Sequence, residues 1–215
     1  MTWTKTGAAS VRVTRWSHTG VVLGAWLGAA CGSAITPLPP ARAPAPSGVA
    51  VPAPAEPVAA PPNAIEVLRR RHLMVPVDGV GLERVQNTYD AVRDGGTRRH
   101  YAIDIMAPRG TAVLAADNGS ILRMGFNALG GLTIYQIDPE KRFVYYYAHL
   151  DRYASTIQDG RVVSRGDVIG YVGATGNASP TAPHLHFQVL LFRERYWEGE
   201  SVNPFGIFGA AGKRR

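Results

Sequence analysis

The chain has 215 residues, of which 46% are hydrophobic and 18% charged. This composition fits one globular domain with additional segments and excludes a chain that is disordered throughout. The formal net charge is +7, but three basic residues precede Cys31 without any acidic residue, so 20 basic and 16 acidic residues follow, a net +4. That excess suits an anionic wall or membrane surface and is too small to indicate nucleic-acid binding.

Residues 1–31 have the pattern of an export signal. A basic leader ends at Arg15, and residues 20–30 are uncharged and apolar, a run too short for a membrane-spanning helix of about 20 residues. The motif Leu27-Gly-Ala-Ala-Cys31 resembles a bacterial lipoprotein cleavage box, although its Leu lies one position further back than usual. We therefore expect a lipid on Cys31. The alternative is a plain secretory signal that is cut near Ala34.

Gly32 follows the cysteine, as in the outer-membrane sorting pattern of lipoproteins. The sequence thus predicts a protein of the cell envelope, periplasmic and anchored to the outer membrane through the lipid on Cys31. Residues 32–62 are rich in Pro and Ala, a composition that favours extended polyproline II over a packed core. We interpret this segment as a disordered tether that provides reach.

The next segment leads into the predicted domain. Asn63-Ala-Ile-Glu66 has the form of a capping box and predicts a short helix at residues 64–73. Residues 74–77 are predicted to form a strand. Residues 86–99 are polar and predict a loop that ends at His100.

From His100 onward the sequence predicts short strands only. Asp117-Asn118-Gly119 is a strong hairpin signal, which predicts that residues 111–115 pair with residues 120–125. The remaining predicted strands share turn residues at their ends and lie at 132–137, 142–150, 162–163, 168–172 and 184–191. We therefore predict an antiparallel all-β domain over residues 63–192, followed by a surface tail at 193–215.

Three separated segments of this domain carry metal-binding or catalytic residue types. They are His100 with Asp104, His149, and the pair His184 and His186. Zinc binds imidazole nitrogen and carboxylate oxygen, and a catalytic zinc typically keeps three protein ligands. His100, Asp104 and one histidine of the last pair would form such a set.

The spacing of these residues has geometric consequences. Residues two apart in a strand lie on one face about 6.6 Å apart, so His184 and His186 can face the same site. Residues four apart lie about 13 Å from each other, so His100 and Asp104 can share a metal only if the chain bends or is helical there. The alternation around Ile103 favours extended chain with a local bend. Tyr145, Tyr147 and His149 are predicted to share one face of a strand.

The motifs His100-x-x-x-Asp104, Ala-His149-Leu and Pro-His184-Leu-His186-Phe resemble those of the lysostaphin-type (LytM-like) zinc endopeptidases of peptidoglycan. The similarity extends over about residues 75–189. It implies one Zn²⁺ bound by His100, Asp104 and His186, with His149 and His184 as the catalytic partners. It also implies an antiparallel β-sheet fold with a narrow groove, distantly like a barrel-sandwich hybrid. The family usually has Gly two residues after its first His, whereas this chain has Ala102, which resists a positive φ.

The resemblance implies a zinc-dependent endopeptidase that hydrolyses peptide cross-links of bacterial peptidoglycan. A non-catalytic relative that binds peptidoglycan and activates a cell-wall amidase is the alternative. Such relatives lose zinc ligands, and here all five positions are filled, which favours the enzyme. Residues 160–173 also resemble half-barrels of biotinyl or lipoyl carrier domains. These require an exposed Lys at a hairpin tip, and no Lys lies between residues 142 and 212, which excludes the carrier function.

Overall fold

A computed structural model describes residues 62–208 of the chain. The described residues exclude the predicted export signal at 1–31, the predicted lipidation site Cys31 and all but the end of the tether at 32–62. They also exclude the last seven residues of the predicted tail. Those assignments stay predictions. Within residues 62–208, no helix has the length and the apolar content that crossing a bilayer requires.

The described residues form one α-helix, two short 3₁₀ segments and eleven β-strands. The helix α1 spans Pro62–Arg71, and the 3₁₀ segments span Leu82–Arg84 and Asp94–Gly96. The strands, in chain order from β1 to β11, are Val92–Arg93, Arg98–Arg99, Ile103–Met106, Ala112–Leu114, Gly119–Asn127, Gly131–Ile137, Phe143–Tyr153, Val162–Val163, Val168–Val172, His184–Leu191 and Ser201–Val202.

Nine of these strands form one antiparallel sheet, which confirms the predicted fold class. Its main path runs β11-β10-β7-β6-β5-β8, with β3 paired to β10 and β9 paired to both β7 and β4. The strands β1 and β2 form a separate two-stranded ribbon just before His100. The central strand β10 therefore has β7 along one edge and β3 followed by β11 along the other.

The two faces of the sheet bury different sets of side chains. Leu185, Phe187 and Val189 of β10 lie in the main core, where Phe187 packs against Tyr145 and Tyr147 of β7. A smaller apolar cluster on the opposite face includes Tyr135, Tyr146, Ala148 and Leu190. Because side chains alternate along a strand, His184 and His186 project from this second face.

The N-terminal end of the domain differs in detail from the sequence prediction. The predicted helix at 64–73 exists as α1, which ends at Arg71, and His72 follows with φ 51°. Leu68 is fully buried in the main core. The predicted strand at 74–77 is not formed as a regular strand. Val77 makes an isolated bridge with Val113, and the Met74 N–H donates to Ala116 O while Pro76 O accepts the Leu114 N–H. The predicted loop at 86–99 contains the β1–β2 ribbon.

The predicted hairpin around Asp117-Asn118-Gly119 is also wrong. The strand β4 pairs with β9, whereas β5 pairs with β6 and β8. The local turn signal has a physical basis, because the Asn118 N–H donates to Asp117 Oδ1 at 2.8 Å. The turn redirects the chain, but β4 pairs with the distant strand β9, whereas β5 forms a hairpin with β6, the next strand along the chain.

Residues 193–208 do not form the predicted surface tail. The strand β11 pairs with β10, with Val202 opposite Val189. Ile207 and Phe208 are buried, and the Phe208 ring lies 5.9 Å from that of Phe187. Part of the predicted tail thus belongs to the main core, beneath the strand that carries His184 and His186.

Candidate metal and catalytic site

The β1–β2 ribbon and the bend after it position His100 and Asp104. The backbone N–H of His100 donates to Ala91 O at 2.8 Å, which fixes where the ribbon ends. The chain then bends at Tyr101, whose φ is 55°, before β3 begins at Ile103. The predicted bend is therefore present. The positive φ falls on Tyr101 and not on the residue that the family motif usually fills with Gly.

Pairing of β10 with β3 brings the third predicted ligand to the same place. His186 lies opposite Asp104 in the register of the two strands. Asp104 Oδ1 lies 3.0 Å from His100 Nε2 and 3.2 Å from His186 Nδ1. His100 Nε2 and His186 Nδ1 are 3.0 Å apart. The structure thus brings the three residues together through the bend and the strand pairing.

These three atoms fit a zinc ion. Asp104 Oδ1 is buried and makes no hydrogen bond of acceptable geometry, although an orphaned buried carboxylate oxygen is costly. Ligand atoms at about 2.0–2.1 Å from a tetrahedral zinc lie roughly 3.3 Å from one another, close to the separations seen here. The possible ligand atoms of His100, Asp104 and His186 all lie within 4.8 Å of one another.

Neighbouring groups set the proton positions on these ligands. His100 Nδ1 lies 2.9 Å from Thr88 O, so Nδ1–H donates to that carbonyl and the Nε2 lone pair faces Asp104. Burial opposes ionisation of Asp104, but contacts with His100 and His186 outweigh it and hold the pKa of the carboxyl well below its usual range. Burial lowers the pKa of His186, which keeps its imidazole neutral as metal binding requires.

His149 reaches the site by a different route from the one predicted. Tyr145 and Tyr147 point into the main core, so His149 would join them there in a regular strand. The register of β6 and β7 shifts between Leu132 and Ile134, which marks a β-bulge, and His149 has φ 61°. The bulge turns His149 onto the second face of the sheet. The predicted common face of Tyr145, Tyr147 and His149 is therefore wrong.

His149 and His184 lie beside the three converging residues. Their ring centroids are 4.9 Å apart, and His149 lies 5.5 Å from His186. His184 Nε2 is 3.7 Å from Asp104 Oδ1. In both rings Nδ1 faces a backbone carbonyl, Thr175 O at 2.9 Å for His149 and Ala182 O at 2.8 Å for His184. Nδ1–H therefore donates to the backbone, which leaves each Nε2 to accept a proton.

Burial, followed by the nearby His186, lowers the pKa of His149 to about 4. A neutral imidazole at pH 7 can act as a proton acceptor. Two glycines hold the carbonyl that orients this ring. Gly131 and Gly176 have positive φ, and a Cβ on Gly176 would lie 2.3 Å from Gly131 N. The close approach of these two loops places Thr175 against His149.

Two residues that the sequence analysis missed hold the ligands from outside. Arg93 donates from a terminal guanidinium nitrogen to Asp104 Oδ2 at 2.5 Å. Thr88 Oγ1 accepts the backbone N–H of Asp104 at 2.9 Å, in addition to the carbonyl contact with His100. Both lie in a stretch that reads as a polar loop, where a single Arg or Thr carries no distinguishing pattern. Their role becomes visible only from the folded ribbon.

Comparison with known proteins identifies the class. Residues 98–204 match the model of peptidase family M23. The chain therefore carries an M23 peptidase domain, which confirms the lysostaphin-type resemblance. The matched range includes all five site residues, His100, Asp104, His149, His184 and His186.

Two of the curated relatives reported for this domain are named as endopeptidases, and one of those names includes peptidoglycan. The chain is 39% identical over 103 residues to an L-Ala–D-Glu endopeptidase of Bacillus subtilis, covering 46% of this chain and 31% of the relative. It is 30% identical over 128 residues to the peptidoglycan DD-endopeptidase ShyC of Vibrio cholerae, covering 58% and 28%. Lysostaphin of Staphylococcus simulans is 33% identical over 114 residues, covering 53% and 22%. The match thus spans less than a third of each of these relatives.

Solved structures of the same family resemble the fold. The structure named "putative peptidase M23 from Pseudomonas aeruginosa" aligns with a TM-score of 0.50 and 26% identity over 70% of this chain and 59% of that one. The catalytic domain of lysostaphin from Staphylococcus simulans aligns with a TM-score of 0.47 and 28% identity, over 67% and 96%.

Proposed function

We propose that this protein is a zinc-dependent endopeptidase that hydrolyses peptide cross-links of bacterial peptidoglycan. The observation that carries the proposal is the convergence of His100, Asp104 and His186 around a buried carboxylate oxygen without a hydrogen bond. Two further histidines with free Nε2 atoms lie beside it. The relative named as a peptidoglycan DD-endopeptidase supports the substrate class.

In this proposal His100 Nε2, Asp104 Oδ1 and His186 Nδ1 hold the metal. A zinc ion there would polarise the scissile carbonyl and lower the pKa of a bound water towards 7. His149 and His184 are the catalytic partners. One of the two Nε2 atoms would accept a proton from the attacking water, and the imidazolium so formed would donate that proton to the leaving amine. The backbone carbonyls on Nδ1 keep both rings in the tautomer that this role needs.

The proposal also locates the enzyme in the cell envelope. Residues 1–31 support export and a lipid on Cys31, and residues 32–62 support a tether between the outer membrane and the wall. Replacement of Cys31 by Ser should release the protein from the membrane fraction. A wild-type protein that is soluble with an unmodified amino terminus elsewhere would contradict the anchor.

Purified cross-linked muropeptide dimers provide the direct test. The zinc-loaded wild-type protein should release monomers, and mass spectrometry of the products identifies the bond cut. A chelator should abolish release, and added zinc should restore it. If the zinc-loaded protein cleaves nothing but stimulates an added amidase, the enzyme proposal fails and the non-catalytic activator replaces it.

A further inference from the structure

We propose that Arg93 is a positioning residue that restricts Asp104 to binding the metal through one oxygen. The inference rests on the proposed function, in which Asp104 is a zinc ligand. Arg93 lies before residue 98, where the match to the M23 family model begins. Its contact with the carboxylate is a property of the ribbon in this chain.

The contact divides the Asp104 carboxylate into two halves. Oδ2 accepts the guanidinium N–H of Arg93 at 2.5 Å. Oδ1 faces His100 Nε2 and His186 Nδ1 and makes no hydrogen bond. One oxygen is therefore occupied by the chain itself, while the other is left for a ligand. The Asp104 side chain is 16% exposed and that of Arg93 is 35% exposed, so the pair lies at the edge of the site.

The β1–β2 ribbon explains why Arg93 can reach this carboxylate. Arg93 lies opposite Arg98 in the ribbon, and the turn between them includes Gly95 and Gly96, both with positive φ. The ribbon continues directly into His100. The residue that binds Oδ2 and the first proposed ligand are thus on one short segment of chain, and Thr88 Oγ1 accepts the backbone N–H of Asp104.

The chemistry of arginine suits this role. A guanidinium is always charged, is planar and donates in a fixed direction, so it holds a carboxylate in one rotamer. Without it, Asp104 is free to rotate, and both of its oxygens can compete for the metal. Partners of metal ligands typically contribute 10–100-fold in metal affinity.

A purely structural ion pair would behave differently. Partly exposed pairs usually contribute at most about 1 kcal/mol to stability and nothing to metal binding. The pair between Arg123 and Asp159 provides a matched control, because the Arg123 side chain is also 35% exposed and donates to Oδ2 at 2.9 Å. Within residues 62–208, neither Arg123 nor Asp159 is hydrogen-bonded to any of the five site residues.

The experiment measures zinc affinity by competition with a chromophoric chelator for wild type, Arg93→Gln and Arg123→Gln. Arg93→Gln should bind zinc about 10–100-fold more weakly, whereas Arg123→Gln should match wild type within about twofold. Millimolar guanidinium should restore part of the affinity lost in Arg93→Ala. X-ray absorption of the zinc-loaded proteins should show one carboxylate oxygen at zinc in wild type and a second, longer zinc–oxygen contact in Arg93→Gln.

The outcomes separate this inference from the proposed function. Equal zinc affinity in wild type and Arg93→Gln overturns the inference but leaves the proposed function intact. A lower thermal stability of metal-free Arg93→Gln, together with an equally reduced affinity in Arg123→Gln, would indicate a general folding defect and also overturns it. If wild type binds no zinc and cleaves no muropeptide, the proposed function itself fails.

Discussion

Two clusters of polar residues in the domain differ in whether every buried charged group has a hydrogen-bond partner within the protein. The arginine cluster, formed by Arg71, Asp117, Asp138 and Tyr145, lies between α1 and the β6–β7 hairpin. Arg71 binds Asp117 at 3.2 Å and Asp138 at 2.8 Å, and Tyr145 OH donates to Asp117 at 2.8 Å. Asp138 Oδ1 accepts two backbone N–H groups at 2.6 Å. Each of these charged groups has partners within the protein.

The site cluster, formed by His100, Asp104, His149, His184 and His186, keeps one buried carboxylate oxygen without a hydrogen bond. Buried polar groups stabilise a fold only when they are fully paired. The comparison therefore separates two uses of buried charge. The arginine cluster connects α1 to the sheet, whereas the site cluster has the unsatisfied oxygen that we propose to be a zinc ligand.

The largest expected effect is on catalysis. His149→Ala and His184→Ala should each lower muropeptide cleavage by about 10²–10⁴-fold, because each removes a proton acceptor beside the site. Zinc content should remain at the wild-type level, since neither residue belongs to the three converging ligands. Steady-state rates and metal analysis of the same preparations test this pair of claims. Loss of zinc from His184→Ala would move that residue into the ligand set.

The second effect is on stability at the arginine cluster. Arg71→Met leaves two buried carboxylates without their cation and should destabilise the fold by about 3 kcal/mol, at the low end of the range for buried pairs. Urea unfolding of metal-free protein measures this free energy. Arg70→Met is the matched control on the same helix, since Arg70 pairs with Glu66 on the surface, and its cost should be about 0.3–0.5 kcal/mol. Similar costs for both variants would refute the distinction.

The third effect is on the thermal stability that zinc adds to the metal-free protein. A zinc concentration of 100 times Kd stabilises a folded protein by about 2.7 kcal/mol, so adding zinc to the apo protein should raise the Tm of wild type. The same addition to His186→Ala should change Tm little, because one of three ligands is missing. Arg71→Met should keep the full zinc-dependent shift from its lower starting Tm. A zinc-dependent shift in His186→Ala equal to that of wild type would contradict the ligand assignment.

The smallest effect concerns a single hydroxyl. Tyr145→Phe removes the hydrogen bond to Asp117 Oδ2 but leaves Arg71 in place, so the expected loss of stability is about 1 kcal/mol. Zinc affinity should not change, because Tyr145 points into the main core. A stability curve identical to that of wild type would show that the hydroxyl contributes nothing net to the arginine cluster.

The sequence predicted the family through the resemblance of its His and Asp motifs, and that resemblance, not spacing, singled out His186 as the third proposed ligand. Spacing predicted only which of these residues could face one site. His184 and His186 lie two residues apart, and this places them on one face of any extended strand. Distance left either a bend or a helical segment between His100 and Asp104, and the alternation around Ile103 favoured extended chain with a bend. These inferences did not need the strand order.

Two of the incorrect predictions assumed regular local geometry. Period-two alternation placed His149 with Tyr147, but a bulge opposite Thr133 breaks that alternation. The hairpin at residues 117–119 was inferred from turn residues, whereas β4 finds its partner in β9, more than fifty residues away. Arg93 and Thr88 were missed because their roles depend on a ribbon that is specified by tertiary contacts.

The burial of residues 201–208 has a practical consequence for domain engineering. Ser201 Oγ donates at 2.9 Å to the carbonyl of Tyr101, the residue at the bend between two proposed ligands, and Phe208 packs beneath β10. A recombinant domain trimmed after β10 would retain every residue of the catalytic motifs yet lose the brace that shapes them. Chimeras and shortened domains built from this chain should therefore include Phe208 and not end at the last motif.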